Sequence, residues 1–223
     1  DLRAYDALIE RMMKLIKKLK TKHMIEIRQL DLGGGFGVRY TEEDKPSSIE
    51  ETCRRIVEKC EEELKRNEIR LEKIMIEPGR SIVAEAGYTL YSVGYLKNTP
   101  NQAYLFIDRG MSDNIRVALY DARYDCDLAN KMKLEKRKKY TVAGKCCESG
   151  DILIKEALLP EAEPGDLLVV YGTGAYGYSM ASNYNRLGRP AVVFAGGSKA
   201  RLVIRREGYG DLVRLEANEE VSL

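Results

Sequence analysis

The hydrophobic pattern of the chain changes near Gly87, and this change limits the folds that the sequence can adopt. Before it, apolar residues recur at helical spacing. After it come short apolar runs separated by turn residues. Helical spacing predicts amphipathic helices, whereas short runs bounded by turns predict strands. The sequence therefore predicts two regions: alternating β and α elements over 1–86, and a mostly β region over 87–223.

The first region begins with an amphipathic helix whose other face is basic. We expect its apolar stripe to pack on a sheet, although a basic amphipathic helix can also lie on a membrane. A buried strand is predicted over 25–32 and a third buried element over 74–76. Between them a second helix should begin after Ser48, because Ser48 and Glu51 have the spacing of a capping box. The predicted stripe of the first helix is Tyr5, Leu8, Ile9, Met12, Leu15, Ile16 and Leu19.

The second region contains eight short runs that we predict to be strands. A basic cluster over 131–139 lies between two of these runs and contains no interleaved aromatic residues. It is interpreted as a solvated hairpin rather than as a nucleic-acid surface. The predicted strands are 88–97, 103–108, 115–120, 139–143, 152–158, 167–171, 191–195 and 201–205.

Composition excludes several classes of protein. With 44% hydrophobic and 32% charged residues, the chain of 223 residues has a folding composition. A net charge of +2 gives no general attraction to nucleic acid or anionic membranes. The apolar runs are too short to cross a bilayer. Five irregularly spaced cysteines and a single histidine, His23, predict neither a disulfide framework nor a metal site. We expect a soluble, reduced, cytoplasmic protein.

Two strand ends in the first region carry loops suited to an anion. Gly33-Gly34-Gly35 and Glu77-Pro78-Gly79-Arg80 each follow a predicted strand. Glycine lets backbone amides approach an anion closely, although a tight turn alone would explain either loop. Two such loops in succession favour a phosphate site like that of a (β/α)8 barrel.

Several residues of the second region are candidates for catalysis or substrate binding, although each could also have an ordinary structural role. Cys147 lies among carboxylates, which makes it a poor nucleophile but a suitable proton donor; it could equally be a buried strand-end residue. Arg116, four residues before Tyr120, suits a substrate carboxylate or a surface ion pair. Tyr176, between turn residues, could face a ligand or belong to an ordinary turn.

In this order, the motifs resemble those of the fold-type III pyridoxal-phosphate decarboxylases, and specifically the branch that acts on diaminopimelate. Cys-Glu-Ser-Gly-Asp is the most discriminating, because ornithine and arginine decarboxylases of this fold differ there. Val117, where the family usually has proline, is a departure. The matching stretches are Leu30 to Gly37, Glu77 to Arg80, Arg116 to Tyr120, Cys147 to Asp151, and Gly174 to Tyr176.

The resemblance implies a fold and a cofactor. Residues 1–86 would supply the last two β/α units of a (β/α)8 barrel, and 87–223 a mostly antiparallel β domain. Pyridoxal 5'-phosphate would be held by Gly35 and the turn of Pro78, Gly79 and Arg80. Glu77 would face the pyridine nitrogen, and Tyr176 would reach both phosphate and substrate.

The resemblance also implies a substrate and its recognition. Arg80, Arg116 and Tyr120 would bind the distal carboxylate of meso-diaminopimelate, and Glu148 its distal ammonium. Decarboxylation would yield L-lysine, with Cys147 returning a proton to the carbon that loses carbon dioxide. In this family that cysteine and Glu148 come from the partner subunit, which implies a homodimer with shared active sites.

The family's Schiff-base lysine and ring-stacking histidine lie upstream of the glycine loop, outside this sequence. We therefore expect a longer protein to supply them, and the present chain alone to be inactive. Two alternatives stay open: a decarboxylase of another basic amino acid, and a non-catalytic binding homologue.

Overall fold

The computed structural model describes residues 2–217, which divide into two units on either side of the Ala86–Gly87 bond. The division lies where the hydrophobic pattern changes. The first unit contains α1 (Leu2–His23), β1 (Gln29–Asp31), α2 (Ile49–Asn67), β2 (Lys73–Met75) and α3 (Gly79–Val83).

The apolar face of α1 is buried inside the first unit, as the packing interpretation predicts. Ile9 and Met13 are fully buried and Ile16 nearly so, in a cluster with residues of β1 and α2. Their spacing of four and three residues keeps them on one helix face. The predicted stripe was wrong in detail, because it included Leu15, which is 46% exposed, and omitted Met13.

The second helix begins where its capping signal predicts. The Ser48 hydroxyl accepts a hydrogen bond of 3.0 Å from the Glu51 amide, and Ile49 is the first helical residue. Cys60 is 1% exposed on the inner face of α2, so it packs in the core as an apolar residue. Burial raises the pKa of its thiol to about 11.

The predicted strand over 25–32 is shorter in the structure. Only Gln29–Asp31 pairs, in parallel, with Lys73–Met75. Met24 has a left-handed backbone (φ 58°), and the Ile25 amide donates to the Leu19 carbonyl at the end of α1. The residues between α1 and Gln29 therefore form the turn that ends the helix, and they are not part of the strand.

The second unit is built on a six-stranded mixed sheet, which a separate hairpin follows. The strands are β3 (Thr89–Asn98), β4 (Ala103–Ile107), β5 (Cys126–Leu128), β6 (Lys138–Ala143), β7 (Ile152–Leu159), β8 (Leu167–Val170), β9 (Val192–Gly196) and β10 (Lys199–Ile204); the helices are α4 (Arg116–Tyr120), α5 (Gly177–Met180) and α6 (Tyr209–Val213), with a 3-10 turn at Tyr184–Arg186. The strand order in the sheet is β5-β8-β3-β4-β6-β7. The β4–β6 pair is parallel and the other pairs are antiparallel. The hairpin, β9–β10, is antiparallel.

Buried strand residues fill the core of this sheet, at alternate positions in β3 and β4 and at successive positions in β6 and β8. Tyr91 and Val93 of β3, Leu105 of β4, Val142 of β6 and Leu168 of β8 are each at most 2% exposed. The period of two in β3 and β4 follows from the pleat, which sends successive side chains to opposite faces.

Seven of the eight predicted strands are confirmed, with ends that differ by at most two residues.

The prediction of a strand over 115–120 was wrong. Arg116–Tyr120 forms α4, a single helical turn in which the Leu119 amide donates to the Ile115 carbonyl at 3.0 Å. Asp121 ends the turn in the left-handed conformation (φ 49°). The strand β5 was not predicted, because its three residues are too few to form a recognisable pattern.

The basic cluster over 131–139 lies in the connection before β6 and at its start, where two of its lysines form short ion pairs. Lys131 Nζ lies 2.9 Å from an Asp166 oxygen and Lys136 Nζ 2.6 Å from an Asp127 oxygen. Part of the positive charge of the cluster is therefore balanced by nearby carboxylates.

Over residues 2–217, no helix combines the length and the apolar character that crossing a bilayer would need.

Candidate active site

The two glycine-containing loops of the first unit, at Gly33-Gly34-Gly35 and Glu77-Pro78-Gly79-Arg80, meet because they follow neighbouring parallel strands. The Glu77 amide donates to the Gly33 carbonyl at 2.8 Å. A Cβ atom on Gly34 would lie 2.3 Å from the Glu77 carbonyl oxygen, so only glycine permits this approach. The structure thus brings the ends of β1 and β2 together as the sequence predicts.

Backbone amides on both loops remain available to an anion. The Gly79 amide donates to the Glu77 carbonyl at 2.8 Å, whereas the amides of Gly35 and Arg80 have no acceptor among residues 2–217. Gly35 is exposed, with φ +92°, and no atom lies within 4 Å of a Cβ built on Gly79. Open backbone with free N–H groups is what a phosphate requires.

The charged side chains of this unit lie beside the same loops. The Glu77 carboxylate is exposed and pairs with no side chain in the described part of the chain. Pro78 precedes α3, and the Arg80 guanidinium lies 5.8 Å from the ring centroid of Tyr40. Tyr5 on α1 donates its hydroxyl to the Gly34 carbonyl at 2.7 Å and so supports the glycine loop.

In the second unit, three of the predicted residues form one cluster. The Arg116 guanidinium lies 5.2 Å from the Tyr176 ring centroid and 5.9 Å from that of Tyr120. Arg116 and Tyr120 share a face because α4 is a helical turn. Tyr176 adopts a left-handed backbone (φ 65°) just before α5, and its ring is 49% exposed. A cation between two hydroxyl-bearing rings suits a carboxylate ligand.

Cys147 and Glu148 lie together on the loop between β6 and β7. Both side chains are exposed. The Tyr184 hydroxyl donates a hydrogen bond to Glu148 Oε1. This contact holds the pKa of the Tyr184 hydroxyl above its ordinary value.

A buried carboxylate, Asp151, accepts hydrogen bonds from the backbone of the same loop and of a second loop. Its Oδ1 accepts the Met111 amide at 2.7 Å and its Oδ2 accepts the Cys146 amide at 2.8 Å, while the residue is 2% exposed. A Cβ atom on either Gly110 or Gly144 would lie 2.2 Å from Asp151 Oδ1. Asp151 therefore joins the loop that leads to α4 to the loop of Cys147.

Comparison with known proteins identifies the family. Residues 4–174 match the family described as "Pyridoxal-dependent decarboxylase, C-terminal sheet domain". The chain belongs to this decarboxylase family. The diaminopimelate decarboxylase of Bacillus subtilis is 48% identical over 208 residues, which are 93% of this chain and 47% of that protein. That of Halalkalibacterium halodurans is 47% identical over 209 residues, covering 93% of this chain and 48% of that protein.

A solved structure agrees with these relatives. The diaminopimelate decarboxylase of M. jannaschii in complex with L-lysine superposes with a TM-score of 0.88 at 32% identity, covering 98% of this chain and 49% of that one. The chain thus spans about half the length of the curated relatives that it matches.

The residues present fit the cofactor of this family. Pyridoxal phosphate has a dianionic phosphate and a pyridine nitrogen that is protonated when it faces a carboxylate. The free amides at Gly35 and Arg80 match the phosphate, and the unpaired Glu77 carboxylate matches the nitrogen.

Over residues 2–217, no group of three His, Cys, Asp or Glu side chains is arranged to hold a metal ion.

Three residues that support the candidate loops were not predicted from the sequence: Tyr5 in the first unit, and Asp151 and Tyr184 in the second. The contact of Tyr184 with Glu148 joins residues 36 apart, and that of Asp151 with Met111 joins residues 40 apart. Spacing within one element cannot reveal such pairs. The only available signal was that Asp151 closes the Cys-Glu-Ser-Gly-Asp motif without a chemical role of its own.

Proposed function

We propose that this chain forms part of a decarboxylase that converts meso-diaminopimelate to L-lysine with pyridoxal 5'-phosphate. The observation that carries the proposal is the Arg116 guanidinium beside the rings of Tyr120 and Tyr176, in a unit that also presents the thiol and carboxylate of Cys147 and Glu148. The names of relatives at 47–48% identity support it.

Cofactor binding is assigned to the first unit and to Tyr176. Amides at Gly35 and in the turn of Pro78, Gly79 and Arg80 bind the phosphate, with the Arg80 amide favoured over that of Gly79, which already has an acceptor. The Glu77 carboxylate keeps the pyridine nitrogen protonated. When bound, the cofactor withdraws electrons from the substrate carbon that loses carbon dioxide. Tyr176 contacts phosphate and substrate through its exposed hydroxyl.

Substrate recognition follows from the two charges at the far end of diaminopimelate. Arg116 and Tyr120 bind the distal carboxylate, and Arg80 has the same role from the first unit. Glu148 binds the distal ammonium. A substrate that lacked the carboxylate would lose its charge-assisted contact with the guanidinium, which is worth about 1.5–3 kcal/mol.

Cys147 is assigned as the proton donor. A neutral thiol can transfer its proton to a carbon atom. The Cys147 side chain is free of any disulfide and exposed. Exposure also lets Cys147 and Glu148 reach the active site of a second copy, so we propose a homodimer with shared sites.

We further propose that residues 1–86 supply the last two β/α units of a (β/α)8 barrel, followed by the β domain over 87–223. Supporting this, β1 and β2 are parallel and neighbouring, as in a barrel. An apolar groove of about 260 Å³ also runs along α2 and β2, lined by Cys53, Val57, Ile74 and neighbours. Further β/α units would cover it. The free thiols of all five cysteines support the cytoplasm as the location.

The decisive assay is carbon dioxide release from meso-diaminopimelate by the full-length gene product with pyridoxal phosphate. We expect turnover at 1–10³ s⁻¹, the usual range for enzymes, and L-lysine as product. Preferred turnover of ornithine or lysine would replace this substrate with another basic amino acid. Binding of the cofactor without any turnover would mean a non-catalytic homologue. Borohydride reduction and mass spectrometry should find pyridoxyl-lysine outside these 223 residues.

A further inference from the structure

One segment outside the family motifs lies directly on the Cys147 loop. This segment, 182–187, follows α5 and contains the 3-10 turn Tyr184–Arg186. Tyr184 donates its hydroxyl to Glu148 Oε1. The segment thus contacts the loop at the residue that directly follows Cys147.

The backbone of the segment is strained next to this contact. Asn185 and Arg186 both have left-handed backbones, with φ of 53° and 56°. Asparagine adopts this conformation readily, but for Arg186 it costs roughly 1–2 kcal/mol. Strain of this kind persists only where the surroundings impose it, and it is concentrated at functional sites.

Contacts on both sides hold the segment in place. The Ser182 amide donates to the Ser112 carbonyl at 2.9 Å, in the loop that leads to α4. The Asn183 amide group donates to Glu207 Oε2 at 2.6 Å, and the Arg186 guanidinium lies 2.7 Å from a Glu216 oxygen. Tyr184 is therefore presented to Glu148 by a fixed support rather than by a free loop.

The hydrogen bond leaves one Glu148 oxygen for a ligand. A carboxylate has two oxygens that accept hydrogen bonds. Tyr184 uses Oε1, and no described group binds Oε2. The Glu148 side chain is otherwise exposed, so without Tyr184 it would sample several rotamers, and binding a substrate would cost the entropy of fixing one of them.

We propose that Tyr184 is a positioning residue that orients Glu148 to accept the distal ammonium of the substrate. The inference rests on the proposed function and adds to it a source of selectivity for the amino group. Tyr184 does not touch the reacting carbon, so its removal should weaken recognition of the amine more than it slows the chemistry.

The test compares two ligands that differ only in the amino group that Glu148 recognises. L-lysine keeps the amino and carboxylate groups that are distal in diaminopimelate, whereas 6-aminohexanoate lacks that amino group. In the full-length holoenzyme, Tyr184→Phe should weaken L-lysine binding by roughly three- to tenfold, the value of one hydrogen bond. Its binding of 6-aminohexanoate, measured by calorimetry, should not change.

Three further variants make the test specific. Tyr209→Phe removes the hydroxyl of a tyrosine that is 88% exposed, and it should leave both affinities unchanged. In a Glu148→Gln background, Tyr184→Phe should have no additional effect on L-lysine binding, because its target has already lost its charge. For diaminopimelate, Tyr184→Phe alone should raise KM more than it lowers kcat.

Equal weakening of both ligands in Tyr184→Phe would indicate a general structural role and overturn the inference, as would unchanged binding of both. Either result leaves the proposed function intact, since the wild-type enzyme would still release carbon dioxide from diaminopimelate. A wild-type enzyme without that activity overturns the proposed function and this inference with it.

Discussion

Asp113 is a buried carboxyl group whose surroundings disfavour its charge. It is 6% exposed, and its Oδ2 has no hydrogen-bond partner among residues 2–217. Burial raises its pKa from 3.8 to about 6, although Arg109 acts in the opposite direction. The residue lies in the loop before α4, where the Asp113 amide donates to the Gly110 carbonyl at 2.9 Å.

We predict that Asp113→Asn removes a pH dependence of stability. At pH 3 or below, Asp113 is protonated in the folded chains and in most of the unfolded chains. As pH rises through 3.8 to about 6, the unfolded chain loses this proton first, so wild-type stability falls relative to the neutral variant. The difference in the free energy of unfolding should change by up to about 3 kcal/mol between pH 3 and pH 7.

Thermal midpoints of the full-length protein, measured across this range, check the prediction. Asp121→Asn is the matched control, because Asp121 is exposed at the end of α4 and should behave as wild type. A difference between Asp113→Asn and wild type that stays constant with pH would show that Asp113 titrates normally.

At the residue scale, the sequence predicts which side chains could contact cofactor and substrate better than it predicts the residues that hold those side chains in place. Glycines and charges that directly follow a strand, such as Gly35 and Glu77, must lie at the strand end, so their grouping follows from local order. The role of Tyr184 could not be predicted, because its partner Glu148 is brought near only by the fold. The raised pKa of Asp113 could not be predicted either, because it results from burial that only the fold produces.

At the element scale, α4 shows where local pattern is insufficient. Ile115, Val117 and Leu119 alternate with other residues as in a strand, yet Arg116–Tyr120 is helical. Its neighbours decide the outcome: Asp121 can adopt the left-handed cap, and the preceding loop is fixed by Asp151 through the Met111 amide. Propensity is a weak guide for five residues in such surroundings.

Asp151 should therefore control two loops at once. In Asp151→Asn, one carboxylate oxygen becomes an NH2 group that cannot accept a hydrogen bond. Either the Met111 or the Cys146 amide is then left unsatisfied in a partly buried place, at a cost of up to about 1–3 kcal/mol. We expect faster hydrogen exchange at one or both of these amides, and a lower kcat/KM for diaminopimelate.

The matched control for this prediction is Ser149→Ala, a change at an exposed residue of the same loop. It should leave exchange at Met111 and Cys146 unaltered. If Asp151→Asn exchanges as slowly as wild type at both amides, the carboxylate does not hold the two loops together.

At the scale of the whole molecule, the division of the candidate residues between two units bears on assembly. Glu77 belongs to the first unit and Cys147 to the second, and both side chains are exposed. Neither substitution by alanine creates a cavity or leaves a buried group without its partner, so both variants should fold. This makes the pair suitable for testing the proposed sharing of active sites between subunits.

Mixed dimers of Glu77→Ala and Cys147→Ala should regain activity that neither variant has alone. If Cys147 serves the site of its partner subunit, a mixed dimer contains one site with both substitutions and one site that is entirely native. Random exchange of subunits makes half of the dimers mixed, so about a quarter of wild-type activity should return.

The two variants are unfolded together, refolded and assayed with diaminopimelate, and each variant refolded alone serves as the control. If Cys147 serves its own subunit, every site in every dimer carries one substitution, and mixing restores nothing.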